Sequence, residues 1–65
     1  MKMSYFDDTD TLYIEFRVSD VAATQDLDEN TILDLDKSGQ IISITMEHAS
    51  QRTDVRKLVL SGIAA

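Results

Sequence analysis

Asp34-Leu35-Asp36-Lys37-Ser38-Gly39-Gln40-Ile41 places side-chain oxygens at the first, third and fifth positions, Gly at the sixth and an aliphatic residue at the eighth. This is the front of a calcium loop, in which oxygen ligands wrap a hard cation and the glycine permits a sharp turn. The back of the motif is missing. Its twelfth position, where a bidentate Glu closes the shell, is Thr45, and Glu47 stands two residues further along. Both flanks alternate like strands, where that motif needs helices. Asp34, Asp36 and Glu47 are thus an incomplete candidate set for a divalent cation. The alternative makes Asp34 and Asp36 outward positions of a strand and Ser38-Gly39 its turn.

A second acidic group, Asp7, Asp8 and Asp10, offers carboxylates but no nearby His or Glu to complete a shell. Asp is also a favoured loop residue between strands, because its side chain bonds nearby backbone amides. His48, the single histidine, follows Glu47, yet no nucleophile motif such as Gly-x-Ser-x-Gly accompanies it. It reads as a boundary residue between a strand and a helix. Tyr13, between Leu12 and Ile14 and near Glu15 and Arg17, lies on the polar side of its strand. An exposed Tyr on a sheet is a contact residue for a second chain or one member of a cross-strand pair, and Tyr13, Glu15 and Arg17 are the interface candidates.

The elements that must carry these residues are read from hydrophobic period. Leu12, Ile14, Phe16 and Val18 alternate with Tyr13, Glu15 and Arg17, which predicts a strand buried on one face. Leu33 and Leu35 alternate with Asp34 and Asp36, and Ile42, Ile44 and Met46 with Ser43, Thr45 and Glu47. Lys37 to Gln40 joins these two as a hairpin, with Gly39 free to take the positive φ its turn demands. Lys2 to Phe6 pairs with the first strand through the loop Asp7 to Thr11. A weaker edge strand spans about Val21 to Leu27, and the acidic stretch Asp26-Leu27-Asp28-Glu29-Asn30 reads as a turn.

Past His48 the period lengthens. Val55, Leu58, Val59 and Ile63 share one face of a helix over about 51–61, with Ser50 as its cap and Gly62 as its stop. The competing assignment turns Leu58-Val59-Leu60 into a sixth strand. The expected fold is α+β, a single domain over residues 1–65. About five short antiparallel strands lie within 2–48 in meander order, with one C-terminal helix packed on their apolar face. The expected core is Leu12, Ile14, Phe16, Val18, Leu33, Leu35, Ile42, Ile44, Met46, Val55, Leu58 and Val59, with Tyr5 beside it.

Twelve Asp and Glu against six Lys and Arg give a net charge of −6, and residues 1–48 hold 11 of those acids with three bases. Such a surface repels phosphate, which argues against nucleic acid as a partner. No apolar run reaches the ~20 residues of a membrane span and no signal-like segment opens the chain, so a cytoplasmic location is expected. With 65 residues and no Cys, neither disulfides nor thiolate zinc sites can supplement the core. In a domain this small, apolar burial and conformational entropy nearly cancel, so oligomerisation is the expected remedy.

Tyr5, Asp10, Leu12-Tyr13-Ile14, Asp34, Asp36, Gly39, Ile42, Ile44 and Ala49-Ser50 together resemble the pattern of a prokaryotic family of short stand-alone proteins, domain of unknown function 2283. The resemblance runs from about Tyr5 to Ser50 and leaves the C-terminal helix outside. It implies no activity, substrate or cofactor, and it implies an antitoxin-like partner role through small toxin genes beside such genes. The chain departs from the pattern at Phe6, where Asp is common, at Ser43 (Gly), at Thr45 (Glu) and at His48 (Asp or Asn). The expectation is a non-enzymatic homo-oligomer, a dimer first, without cofactor. The alternatives are an acidic module for a basic protein partner and a divalent-cation-binding protein.

Overall fold

The computed structural model describes residues 1–60. Five strands form one antiparallel sheet: β1 (Lys2–Phe6), β2 (Thr11–Glu15), β3 (Ala23–Asp28), β4 (Thr31–Leu35) and β5 (Ile41–Met46). A 3-10 turn, η1 (Ala49–Gln51), and a short helix, α1 (Val55–Leu60), follow. The α+β class, the five strands and the helical state of residues 57–60 agree with the sequence.

The strand order does not. The sheet runs β1-β2-β5-β4-β3, so β2 pairs with β5 and the expected meander breaks between β2 and β3. Burial explains the choice. In a meander β3 would lie at the sheet centre, yet its sequence ATQDLD is exposed at every position. Inserting β5 beside β2 instead sets Ile44 between Ile14 and Leu33 and Met46 between Leu12 and Thr31.

β2 also ends earlier than its alternation suggests. Glu15 faces Lys2 at the end of β1, and the backbone N–H of Phe16 donates the last bond to Ile42 O. Residues 16–22 must then pass the ends of β5 and β4 to reach β3, a span of about 14 Å across three strand spacings. Phe16 is therefore 43% exposed and Val18 90% exposed, and neither belongs to the core.

One face of the sheet carries Met3, Tyr5, Leu12, Ile14, Ile44, Met46 and Leu33. Ala49 and Val55 pack on it around Leu12, with Met3, Tyr5, Ile14 and Met46 at the margin. The buried apolar residues are Leu12, Leu33, Ile42, Ala49 and Val55. Ile14, Leu35, Ile44 and Met46 are half-buried. Leu58 and Val59 lie in α1, and their burial lies outside the description, as do Gly62 and Ile63 entirely. The opposite face presents Lys2, Ser4, Tyr13, Glu15, Thr45, Ile32, Asp34, Thr24 and Asp26, and no described element covers it.

The helix expected over 51–61 is split. Arg52 to Asp54 interrupt it, and the cap of α1 is Asp54, whose Oδ1 accepts a bond from the N–H of Lys57 at 3.2 Å. Ser50, expected to cap the helix, is engaged elsewhere.

Candidate functional site

The chemistry-bearing residues fall into two carboxylate-centred clusters. The first is built on Asp10, the last residue of the β1–β2 turn. Its backbone is left-handed at φ 52°, a conformation that Asp tolerates better than most residues. This turns its carboxylate back over the sheet end. Oδ1 accepts the Tyr5 hydroxyl at 2.6 Å and the Ser50 N–H at 3.0 Å, and Oδ2 accepts the Ser50 hydroxyl at 2.7 Å. The Asp10 carbonyl also accepts the N–H of Ala49 at 2.9 Å. One residue thus fastens the first hairpin to η1 and holds Ala49, 0% exposed, against Leu12.

The Tyr5 and Ser50 bonds hold the Asp10 carboxyl below the usual carboxylate range. The same bond, with burial, pushes the Tyr5 phenol above its ordinary value. His48 stands next to this cluster with a left-handed backbone, φ 54°, and an exposed side chain. Its contribution is conformational, since its carbonyl accepts the Gln51 N–H of η1 at 3.1 Å.

The second cluster is built on Asp36. Its Oδ1 accepts the Ser38 N–H at 2.9 Å, the Ser38 hydroxyl at 2.7 Å and the Gln40 N–H at 2.9 Å, while Oδ2 pairs with Arg17. Gly39 completes the turn at φ 86°, the conformation the sequence required of it. Ser38, then Gln40 and Arg17, hold the Asp36 carboxyl well below its ordinary value. Asp34 accepts the Ser43 hydroxyl at 2.7 Å and the Thr24 hydroxyl at 3.2 Å. Beside the turn an open groove of about 480 Å³ is lined by Arg17, Asp20, Val21, Ala22 and Asp36.

The candidate cation ligands are not brought together. Asp36 lies at the β4–β5 turn, whereas Glu47 donates its N–H to Asn30 O at 2.8 Å at the opposite end of that pair. The length of β5, about 20 Å, separates them. Among the described residues no group of three or more His, Asp or Glu could hold a metal ion. Tyr13 and Glu15 share the uncovered face, with the Tyr13 hydroxyl 3.3 Å from Glu15 Oε2. Arg17 is drawn away from them to Asp36 and Gln40. The Asp10–Ser50 link joins residues 40 positions apart, and no local pattern announces it.

The pattern of a family described as "Protein of unknown function (DUF2283)" matches residues 2–50, about three quarters of the chain. The chain belongs to this family. No curated protein and no solved structure matches it. The DUF2283 match ends at Ser50 and so takes in both partners of the Asp10 cluster while leaving α1 outside. The residues that carried the resemblance act mainly as fasteners: Tyr5, Asp10, Ala49 and Ser50 form one cluster, and Asp36 and Gly39 form the turn. The φ of 54° at His48 lies in the left-handed region that His, Asn and Asp enter more readily than other non-glycine residues. Among the described residues no helix is long and apolar enough to cross a membrane.

A pH dependence follows from these clusters. Asp10, Asp36 and Asp28, the last held low by the Asn30 N–H and helped by Arg52, all have folded values below their unfolded value of about 4. Their contribution is complete above that pH and is lost as pH falls through the folded values. The urea midpoint is expected to stay level between about pH 5 and 8 and to decline below about pH 4. Asp36→Asn should flatten that decline; an unchanged acid limb would show that Asp36 contributes nothing to it.

Proposed function

We propose that this DUF2283 protein is a non-enzymatic, cytoplasmic assembly protein whose working unit is a homodimer joined through the β1 edges. The observation that carries the reading is the contrast between the two open edges of the sheet. Within the strands themselves, β3 bears Asp26 and Asp28, whereas β1 carries Lys2 as its single charged side chain, its nearest acids Asp7 and Asp8 standing in the turn beyond it. In a protein of net charge −6, β1 is where a second copy meets the least repulsion. Met1 is 84% exposed and Phe6 50%, so pairing there also hides apolar surface.

A two-fold axis at Ser4 sets Ser4 opposite Ser4, Lys2 opposite Phe6 and Met3 opposite Tyr5, and extends the sheet to ten strands. Tyr13 and Glu15 then lie one strand behind the junction, across from Ser4 and Lys2. The non-enzymatic half of the reading is supported by what the carboxylates do. Asp10, Asp28, Asp34 and Asp36 each accept bonds that shape a turn or brace neighbouring strands.

Sedimentation equilibrium tests the dimer. Ser4→Lys places two like charges opposite each other at the axis and is expected to weaken association at least about tenfold, leaving the melting curve of dilute protein little changed. A wild-type chain that stays monomeric at about 100 μM would overturn the reading, as would a dimer indifferent to Ser4→Lys.

A further inference from the structure

We infer that the outer edge of β3 is a docking site for an extended basic segment of another protein, which adds to the sheet as a further strand. Three observations place it there. Among the described residues no strand pairs with that edge, so its outward N–H and C=O groups, which alternate along an antiparallel strand, are left for an incoming chain. All six residues of β3 are exposed, so among the described residues neither helix nor loop covers it. Along it stand Asp26, Asp28 and Glu29, with Arg52 3.5 Å from Asp28, while Asp20, just before the strand, lines a groove with Arg17 and Lys37.

That charge decides the occupant. A second copy of β3 would bring its own Asp26 and Asp28 against these acids, and acids on an edge act to keep like sheets apart. A segment rich in Lys or Arg reverses the sign of the interaction while making the same backbone bonds. Side-chain alternation refines its chemistry. Thr24 and Asp26 point to the uncovered face of the sheet and Ala23 and Gln25 to the other, until a register shift between Asp26 and Asp28 leaves Leu27 standing out at 63% exposure. Val21, 54% exposed, lies just before the strand. The segment that fits has basic residues over Thr24 and Asp26, alternating with small apolar residues that reach toward Val21 and Leu27.

The site is independent of the β1 dimer, because the two edges are at opposite ends of the sheet. The test is an amide-resolved NMR titration of the full-length protein with a capped peptide alternating Lys and Val, about eight residues long, enough to run along β3. Two control peptides accompany it: one N-methylated at every second amide, which keeps the charge but cannot form the ladder, and one with Glu in place of Lys.

Expected are shift changes and slowed amide exchange concentrated in Ala23–Asp28, with binding that weakens as salt rises. The N-methylated peptide is expected to bind about tenfold more weakly or worse, and Asp26→Asn to weaken the Lys-Val peptide several-fold. The Glu peptide should not bind. Ser4→Lys, which tests the β1 dimer, should leave all of this unchanged. Equal binding of the N-methylated peptide would reduce the site to diffuse charge attraction and overturn the inference. So would shifts centred on β1 or on the uncovered face, or β3 shifts that grow with the concentration of the protein alone, which would make a second copy the occupant.

Discussion

Leu12→Ala is expected to destabilise the protein by about 3 kcal/mol, because truncating a buried leucine loses its transfer energy and leaves a cavity that neighbours fill only partly. Leu12 is 2% exposed and stands at the centre of the cluster formed with Ala49 and Val55. A domain of this size is stable by only a few kcal/mol, so this one change should bring it close to unfolding at 25 °C. Urea titration followed by circular dichroism measures the shift. Leu12→Met, which keeps the volume, should cost less than about 1.5 kcal/mol. The decisive comparison is Val18→Ala. Val18 belongs to the same alternating run as Leu12, but at 90% exposure it should change stability by no more than about 0.5 kcal/mol. Comparable losses at both positions would contradict the end of β2 at Glu15.

Asp10→Ala is expected to lower the melting temperature by about 10 °C. Three side-chain hydrogen bonds disappear together, and alanine must adopt a left-handed conformation that its Cβ disfavours. Asp10→Asn should cost roughly half as much, since Asn tolerates that backbone and can still accept one of the bonds. The cluster also makes a coupling prediction. Tyr5→Phe should be destabilising in the wild-type background and nearly neutral in the Asp10→Ala background, because the hydroxyl has then already lost its acceptor. Additive effects of the two substitutions would show that the Tyr5–Asp10 bond contributes little. Differential scanning calorimetry of the four proteins closes the cycle.

The strands around Leu12 were legible in the sequence, whereas the Asp10 cluster was not. Alternation located β2, β4 and β5 because each carries a regular period of two with large apolar residues on one side, and Gly39 located a turn whose φ other residues rarely adopt. Alternation is blind to where a strand loses its neighbour. Phe16 and Val18 continue the pattern after β1 has run out of residues to pair, and only the sheet reveals that they are outside it.

Strand order was hidden for a similar reason. Short connections favour sequential neighbours, and the preference gave way because β3 has no apolar face to occupy the centre. Ser50 shows the limit for the candidate sites. A serine ahead of a helical period is an ordinary cap, and its true partner, Asp10, lies 40 residues away, beyond any local signal. The acidic run Asp34 to Ile41 resembled a cation loop because a carboxylate that organises a turn and one that ligates calcium use the same residue types at the same spacing. Thr45 at the twelfth position and the strand flanks argue against the loop in the sequence, and the occupied lone pairs of Asp36 show its role in the turn.

The insertion of β5 beside β2 bears on how fast the chain can fold. β1 and β2 form one hairpin and β3, β4 and β5 a second unit, each closed by a turn of a few residues and so able to assemble on a microsecond scale. The seam between the units pairs Ile14 with Ile44, residues 30 positions apart, and closing it costs the most chain entropy in the sheet. The β2–β5 seam is therefore the pairing expected to limit the folding rate. Residues 16–22 act there as a tether rather than a template. Doubling their number would add only about 0.6 kcal/mol to the closure cost, so natural or engineered length variation in this chain is best accommodated at that crossing.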